Sequence, residues 1–140
     1  MSADLERAKE ILAQTGSTCV LCRDDLVYTT TQRGVRPLID WLESGQDTWG
    51  FSVADKVVGK AAALLYCLLG VRRVHGNVMS DAAVKVLRRN GIEVYWDRLT
   101  EGIRNRADTG PCPLESATTH IDDPEEALPV ILATLKSLQK

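Results

Sequence analysis

Residues 50–96, GFSVADKVVGKAAALLYCLLGVRRVHGNVMSDAAVKVLRRNGIEVYW, decide the fold class because apolar strands and amphipathic helices alternate along them. Short apolar runs at residues 50–54, 71–79 and 92–96 predict three buried strands. Residues 56–69 repeat apolar side chains at helical spacing, and a second helix of the same period separates the last two strands. This β-α-β-α-β order calls for parallel strands joined by right-handed crossovers.

The residues that flank this core add antiparallel strands and further helices. A helix capped by Ser2 opens the chain, and a β-hairpin follows at residues 18–30, with its turn at Asp24-Asp25. Beyond the last core strand we expect a short helix at residues 98–103, a long polar loop, and a C-terminal helix at residues 123–140. We therefore predict a single domain, residues 1–140, built as a three-layer α/β/α sandwich with a mixed sheet of about five strands.

The composition gives no support for a nucleic-acid or membrane partner. The chain has 17 basic and 19 acidic residues, a net charge of −2, so it carries no overall field that would attract phosphate backbones or anionic lipid. The first residues do not form a basic and apolar leader, and the longest apolar stretch, residues 61–71, is too short to span a bilayer. We expect a cytoplasmic protein whose four cysteines are reduced.

Four segments carry a family likeness: residues 34–38 (GVRPL), 53–63 (VADKVVGKAAA), 90–92 (NGI) and 104–115 (RNRADTGPCPLE). Together they resemble an uncharacterised bacterial family that is classed only as a domain of unknown function. The resemblance covers about residues 3–119 and leaves the C-terminal helix outside. That family is said to adopt the cytidine-deaminase-like fold, so the resemblance implies this fold and a pocket, but no established activity.

The residues that zinc-dependent deamination requires are missing. Zinc deaminases place a His or Cys ligand with a nearby Glu at the start of one helix, and a PCxxC pair at the start of the next. The first place holds Asp55-Lys56 and Gly59-Lys60, and the second holds residues 80–83, SDAA. Neither offers a thiolate or imidazole, which are the ligands that zinc prefers. We therefore expect no metal, no cofactor and no zinc-dependent deaminase activity.

Two partial motifs also fall short of a site. Cys19 and Cys22 have CxxC spacing, but residues three apart on a strand point to opposite faces of the sheet. Gly59-Lys60 fits the end of a phosphate loop, yet Ala54 stands where that loop needs its first glycine and Ala61 where it needs a hydroxyl. The cysteine spacing therefore favours structural cysteines, and the incomplete phosphate loop argues against hydrolysis of nucleoside triphosphates.

Two groups of polar residues remain as candidate ligand-binding residues. Asp55, Lys56 and Lys60 are placed where a predicted strand passes into a helix, and free backbone N–H groups and the helix dipole bind anions at such junctions. Asp55 would cap this helix, and Lys56 and Lys60, four residues apart, would share one helical face. The second group lies in and after the polar loop: Arg104, Asn105, Arg106, Cys112 and Glu115.

Cys112 is the candidate reactive residue. If Pro113 opens a short helix, Cys112 is its N-cap, where the helix dipole favours a thiolate, whereas the neighbouring Glu115 opposes one. The structural alternative is a turn stiffened by two prolines. Arg104 and Arg106 could bind a carboxylate or phosphate in forked geometry, but their sequence slightly favours a solvated charged loop.

Three functions therefore remain open. We favour a binding module that holds a small anionic or nucleotide-like ligand between the two groups of polar residues. One alternative is a metal-free enzyme with Cys112 as nucleophile or redox thiol. Another is an oligomeric interaction protein, which would show an exposed patch lined by Trp41 and Trp49. The first hypothesis also requires the turn at Cys112 to lie close to Lys56.

Overall fold

Helices and strands alternate along the described part of the chain, residues 2–103 and 112–138 of a computed structural model. The helices are α1 (Ala3–Gln14), α2 (Arg36–Ser44), α3 (Lys60–Leu69), α4 (Asp81–Arg89), α5 (Pro113–Thr118) and α6 (Pro124–Leu138). The strands are β1 (Cys19–Arg23), β2 (Leu26–Thr30), β3 (Ser52–Val58), β4 (Arg73–Ser80) and β5 (Glu93–Thr100).

The strands form one mixed sheet in the order β2-β1-β3-β4-β5. β3, β4 and β5 are parallel, and α3 and α4 provide the crossovers between them. β1 is antiparallel to both of its neighbours, and its hairpin with β2 turns at Asp24, whose positive φ of 52° is left-handed. The prediction of an α/β protein with a five-stranded mixed sheet is confirmed.

Different helices cover the two faces of the sheet, because strand side chains alternate between the faces. On one face, α1 packs against β1 and β3 through a small apolar cluster formed by Ala8, Leu12, Val20, Cys22 and Ala54. On the other face, α2, α3 and α4 pack against the alternate strand residues, among them Leu21 and Val53, to form the main core. This arrangement is consistent with three layers. It also places Cys19, which belongs to the main core, on the opposite face from Cys22.

The central helix of the domain is α3, which contacts α2, α4, α5 and α6. Its first seven residues, from Lys60 to Tyr66, are all buried. Alanines at positions 61 to 63 leave little side-chain volume there, so neighbouring elements approach its first turn closely. No helix in the described ranges is both long and apolar enough to cross a bilayer.

The junction between β3 and α3 differs from the prediction. Parallel pairing with β4 continues through Val58, and the helix starts only at Lys60, after the extended residue Gly59. Asp55 and Lys56 therefore lie within a strand, so the predictions that Asp55 caps the helix and that Lys56 shares a helical face with Lys60 were wrong. Pairing on both sides of β3 outweighs the helical period of the local sequence.

The end of the sheet also differs. Residues 98–103 were predicted to start a short helix, but β5 continues to Thr100, with Arg98 beside Val78 and Leu99 beside Met79 of β4. The ladder to a buried neighbouring strand determines the conformation here, which local propensity alone does not reveal.

Candidate functional site

A polar cleft opens at the carboxyl edge of the parallel strands, where α3 and α4 begin. Open α/β sheets bind ligands at this edge because the loops and helix starts converge there. The cleft consists of two adjoining hollows of about 320 and 300 Å³, which share Lys60, Ala82 and Glu101. The first hollow is also lined by Ser80, Gly102, Glu115, Ser116 and Thr119. The second is also lined by Asp81, Lys85, Val86, Arg89 and Asp122.

The start of α3 is already occupied by a carboxylate of the protein itself. The backbone N–H groups of Lys60 and Ala61 donate to the two carboxylate oxygens of Glu115 at 2.7 and 3.1 Å. Gly59 leaves the room for this carboxylate, since a Cβ at that position would lie 2.3 Å from a Glu115 oxygen. The free N–H groups that attract anions to a helix start are thus satisfied by a residue 55 positions away in the chain.

Lys60 is also engaged within the protein. Only 7% of the residue is exposed, and its ammonium donates to the carbonyl oxygen of Thr119 at 2.9 Å and lies 3.1 Å from an oxygen of Asp122. The other Asp122 oxygen lies 3.4 Å from the Arg89 guanidinium. The hydrogen bond from Lys60 lowers the pKa of Asp122, so this carboxylate stays ionised and balances the buried ammonium.

The α4 side of the cleft adds two further basic residues, Lys85 and Arg89. Asp81, Lys85 and Arg89 follow one another at intervals of four residues, so they share one face of α4, and all three line the second hollow. The ion pairs of the described residues include Lys60 and Arg89 with Asp122, but they do not include Lys85. Of the two lysines that line the cleft, Lys85 is therefore the one without an ion pair among the described residues.

Asp55 and Lys56 do not line this cleft. The Tyr66 hydroxyl donates to the Asp55 carboxylate at 2.6 Å and lies 3.2 Å from the Cys19 sulfur. Burial raises the pKa of Asp55 to about 6 and raises those of Tyr66 and Cys19 well above their ordinary values. Lys56 is exposed. Asp55 therefore belongs to a hydrogen-bonded chain that links β1, β3 and α3.

Cys112 occupies the helix start that was predicted for it, since it is the N-cap of α5 and Pro113 follows in the first turn. Its sulfur makes no capping hydrogen bond, and its backbone N–H donates to the carbonyl oxygen of Ile103 at 2.8 Å. Cys112 is half-buried and packs against the main core, while Glu115 of the same turn reaches α3. Arg104, Asn105 and Arg106 lie outside the described residues.

Several cleft residues were missed by reasoning from the sequence, namely Ser80, Lys85, Arg89, Glu101, Thr119 and Asp122. The four-residue spacing of Asp81, Lys85 and Arg89 is a signal that could have been read from the chain. Asp122 has no such signal, because its role depends on the packing of α5 and α6 against α3.

The helix starts do not fit a zinc ion. The first turns of α3 and α4 begin with Gly59-Lys60 and Ser80-Asp81, and the Ser80 hydroxyl accepts a hydrogen bond from the Ala83 N–H. Among the residues that the structure describes, no three His, Cys, Asp or Glu side chains are grouped so that they could hold a metal. A catalytic zinc site needs three protein ligands of nitrogen, sulfur or carboxylate type.

Comparison with known proteins agrees with this fold. The crystal structure of a DUF1893 family protein from Thermotoga maritima is similar, with a TM-score of 0.86 and 24% sequence identity over 95% of this chain and 91% of that chain. No curated protein matches the chain. The model of the family described as a domain of unknown function (DUF1893) matches residues 7–135, which extends into α6. The chain therefore belongs to the DUF1893 family.

Proposed function

We propose that this protein binds a small, nucleotide-like anionic ligand in the cleft between α3, α4 and α5. The observation that carries the proposal is the arrangement of charges in the cleft: Glu115 accepts from the start of α3, Asp122 pairs with Lys60 and Arg89, and no ion pair of the described residues involves Lys85. An anionic group that enters the second hollow meets Lys85 on the exposed face of α4. The size supports a small molecule, since each hollow, at about 300 Å³, lies at the lower end of the usual range.

The two hollows would divide the ligand. The second hollow, beside α4, holds the anionic group through the Lys85 ammonium, with the Arg89 guanidinium as a further donor beside Asp122. The first hollow, beside α5, has the Glu101 carboxylate and the Ser80 and Thr119 hydroxyls, which suit a hydrogen-bonding ring or sugar. A ligand with one anionic end and one polar, uncharged end matches this division.

The proposal also includes the fold of the domain. We infer the cytidine-deaminase-like fold that the family resemblance implies, in a form that binds without zinc. The types of residue at the two helix starts support this, because Gly59, Lys60, Ser80 and Asp81 offer hydrogen bonds and charge instead of metal ligands.

The test is thermal unfolding in the presence of nucleoside mono-, di- and triphosphates and phosphorylated sugars. A ligand at one hundred times its Kd stabilises the folded state by about 2.7 kcal/mol, which shifts the Tm by several degrees. Lys85→Met should abolish the shift. Lys56→Met is the matched control, since Lys56 is exposed and does not line the cleft.

Two outcomes would contradict the proposal. The first is a Tm that none of these compounds raises. The second is a shift that Lys56→Met abolishes and Lys85→Met preserves, because the ligand would then bind where the sequence pattern alone had placed it.

A further inference from the structure

The two edges of the sheet differ in chemistry. Among the residues that the structure describes, β2 and β5 are the edge strands, and each has a strand neighbour on one side only. The edge strand β5, EVYWDRLT, carries the charged residues Glu93, Asp97 and Arg98. The edge strand β2, LVYTT, carries no charge and no proline. Charged side chains protect an edge strand from pairing with another chain, so β5 is protected and β2 is not.

The hydrogen-bond pattern shows which backbone groups of β2 face outwards. The Lys56 N–H donates to the Thr18 carbonyl oxygen at 3.1 Å, so the even-numbered residues of β1 bond to β3. The odd-numbered residues of β1 consequently bond to Leu26, Tyr28 and Thr30, their partners in β2. The N–H and C=O groups of Val27 and Thr29 therefore point away from the sheet.

We propose that the β2 edge pairs with β2 of a second copy of this chain, antiparallel and about a two-fold axis through Tyr28. In this register Val27 of each copy lies opposite Thr29 of the other, and the outward N–H and C=O groups form four backbone hydrogen bonds. An antiparallel ladder requires this geometry, since outward-facing residues alternate along each strand. The sheet then continues across both copies.

The side chains fit the same pairing. Val27 and Thr29 lie opposite Cys22 and Val20 in the ladder, so they share the α1 face, and β-branched residues opposite each other stabilise antiparallel pairs. Leu26 and Val27 are exposed large apolar residues, at 43% and 39%. No cross-strand pair in this register brings two charges together, whereas pairing through β5 would bring charged residues into the interface.

The symmetry closes the assembly at two copies. A two-fold contact uses the β2 edge of both chains, and only the charged β5 edges remain at the ends of the joint sheet. No residue of β2 lines the ligand cleft, so the dimer does not depend on the proposed ligand site.

Sedimentation velocity of the full chain tests the proposal. The wild type should sediment as a species with twice the 15.4 kDa mass of one chain. Thr29→Pro should be a monomer, because proline removes an outward N–H group without removing a bond to β1. Thr29→Val is the matched control and should remain a dimer, since it keeps the N–H group and the β-branched shape.

A second pair of variants separates loss of the dimer from loss of the fold. Val27→Lys places a charge on an exposed position of β2 and should give a folded monomer, as judged by circular dichroism. Tyr95→Lys makes the same kind of change on β5, where Tyr95 is 41% exposed, and should leave the dimer intact. A wild type that stays monomeric at about 200 μM, or a Val27→Lys variant that still dimerises, would overturn the proposal, because a dimer with a Kd of about 1 μM is almost fully formed at that concentration.

Discussion

Replacing Gly59 with alanine should destabilise the domain by displacing the Glu115 carboxylate from the start of α3. A Cβ at position 59 would lie 2.3, 2.6 and 2.9 Å from the three carboxyl atoms of Glu115, closer than real contacts allow. The backbone itself is unstrained, since the φ of −99° at Gly59 suits any residue. The whole cost therefore comes from the displaced carboxylate.

The magnitude follows from two hydrogen bonds. The carboxylate accepts from the N–H groups of Lys60 and Ala61 at 2.7 and 3.1 Å, and hydrogen bonds to a charged group contribute about 1.5–3 kcal/mol each. Hydrogen bonds to water replace part of this free energy, and alanine stabilises the folded state by about 0.4–1 kcal/mol because it restricts the unfolded chain more than glycine does. We expect Gly59→Ala to lower the free energy of unfolding by about 2–4 kcal/mol, measured by urea denaturation followed through tryptophan fluorescence.

Two controls isolate the contact. Gly16→Ala should change stability by less than about 1 kcal/mol, because a Cβ at position 16 meets no atom within 4 Å. In a Glu115→Ala background, Gly59→Ala should also cost less than about 1 kcal/mol, since no carboxylate remains to be displaced. If Gly59→Ala costs as much in that background as in the wild type, the reasoning is refuted.

Two further predictions concern titratable groups that differ in burial. Burial raises the folded-state pKa of Asp55 from 3.8 to about 6, so the stability that the neutral carboxyl contributes is full below about pH 4 and is lost as the pH rises through 6. Asp55→Asn keeps an acceptor for the Tyr66 hydroxyl without a charge. The free energy of unfolding of this variant, relative to that of the wild type, should therefore rise by up to about 3 kcal/mol between pH 4 and pH 8 in urea denaturation. Parallel pH profiles of the two proteins would contradict this. Alkylation of the native protein at pH 8 should modify Cys112 before the other thiols, because Cys19 and Cys22 are buried and burial raises the pKa of Cys67 to about 11. Mass spectrometry that finds Cys22 modified first would show that α1 opens readily.

The alternation of strands and helices could be predicted from the chain because it depends on local periodicity. The hairpin at Asp24-Asp25, the helices that start after Ser2 and Ser80, and the parallel strands of the core follow from turn residues, caps and apolar spacing. The start of α5 at Pro113 was also predicted, since proline in the first helical turn is a local signal.

Most of the candidate site could not be predicted, because it depends on contacts between distant residues. The predictions for Asp55, Lys56 and Lys60 assumed that a helix begins after Asp55, but pairing with β1 and β4 keeps Asp55 and Lys56 in a strand. Asp55 consequently bonds to Tyr66, and the cleft is lined by other residues. A ladder on both sides of a strand contributes more free energy than the helical propensity of a few residues.

The amino-acid order by itself determined the fold class, the parallel core and the lack of zinc ligands at the two helix starts, since each depends on residue type and short-range spacing. Tertiary packing alone decided which charges remain available in the cleft. Glu115 reaches the start of α3 across 55 positions and Asp122 reaches Lys60, and contacts at this separation depend on the sheet and its helices to hold the segments together against the entropy of the intervening chain.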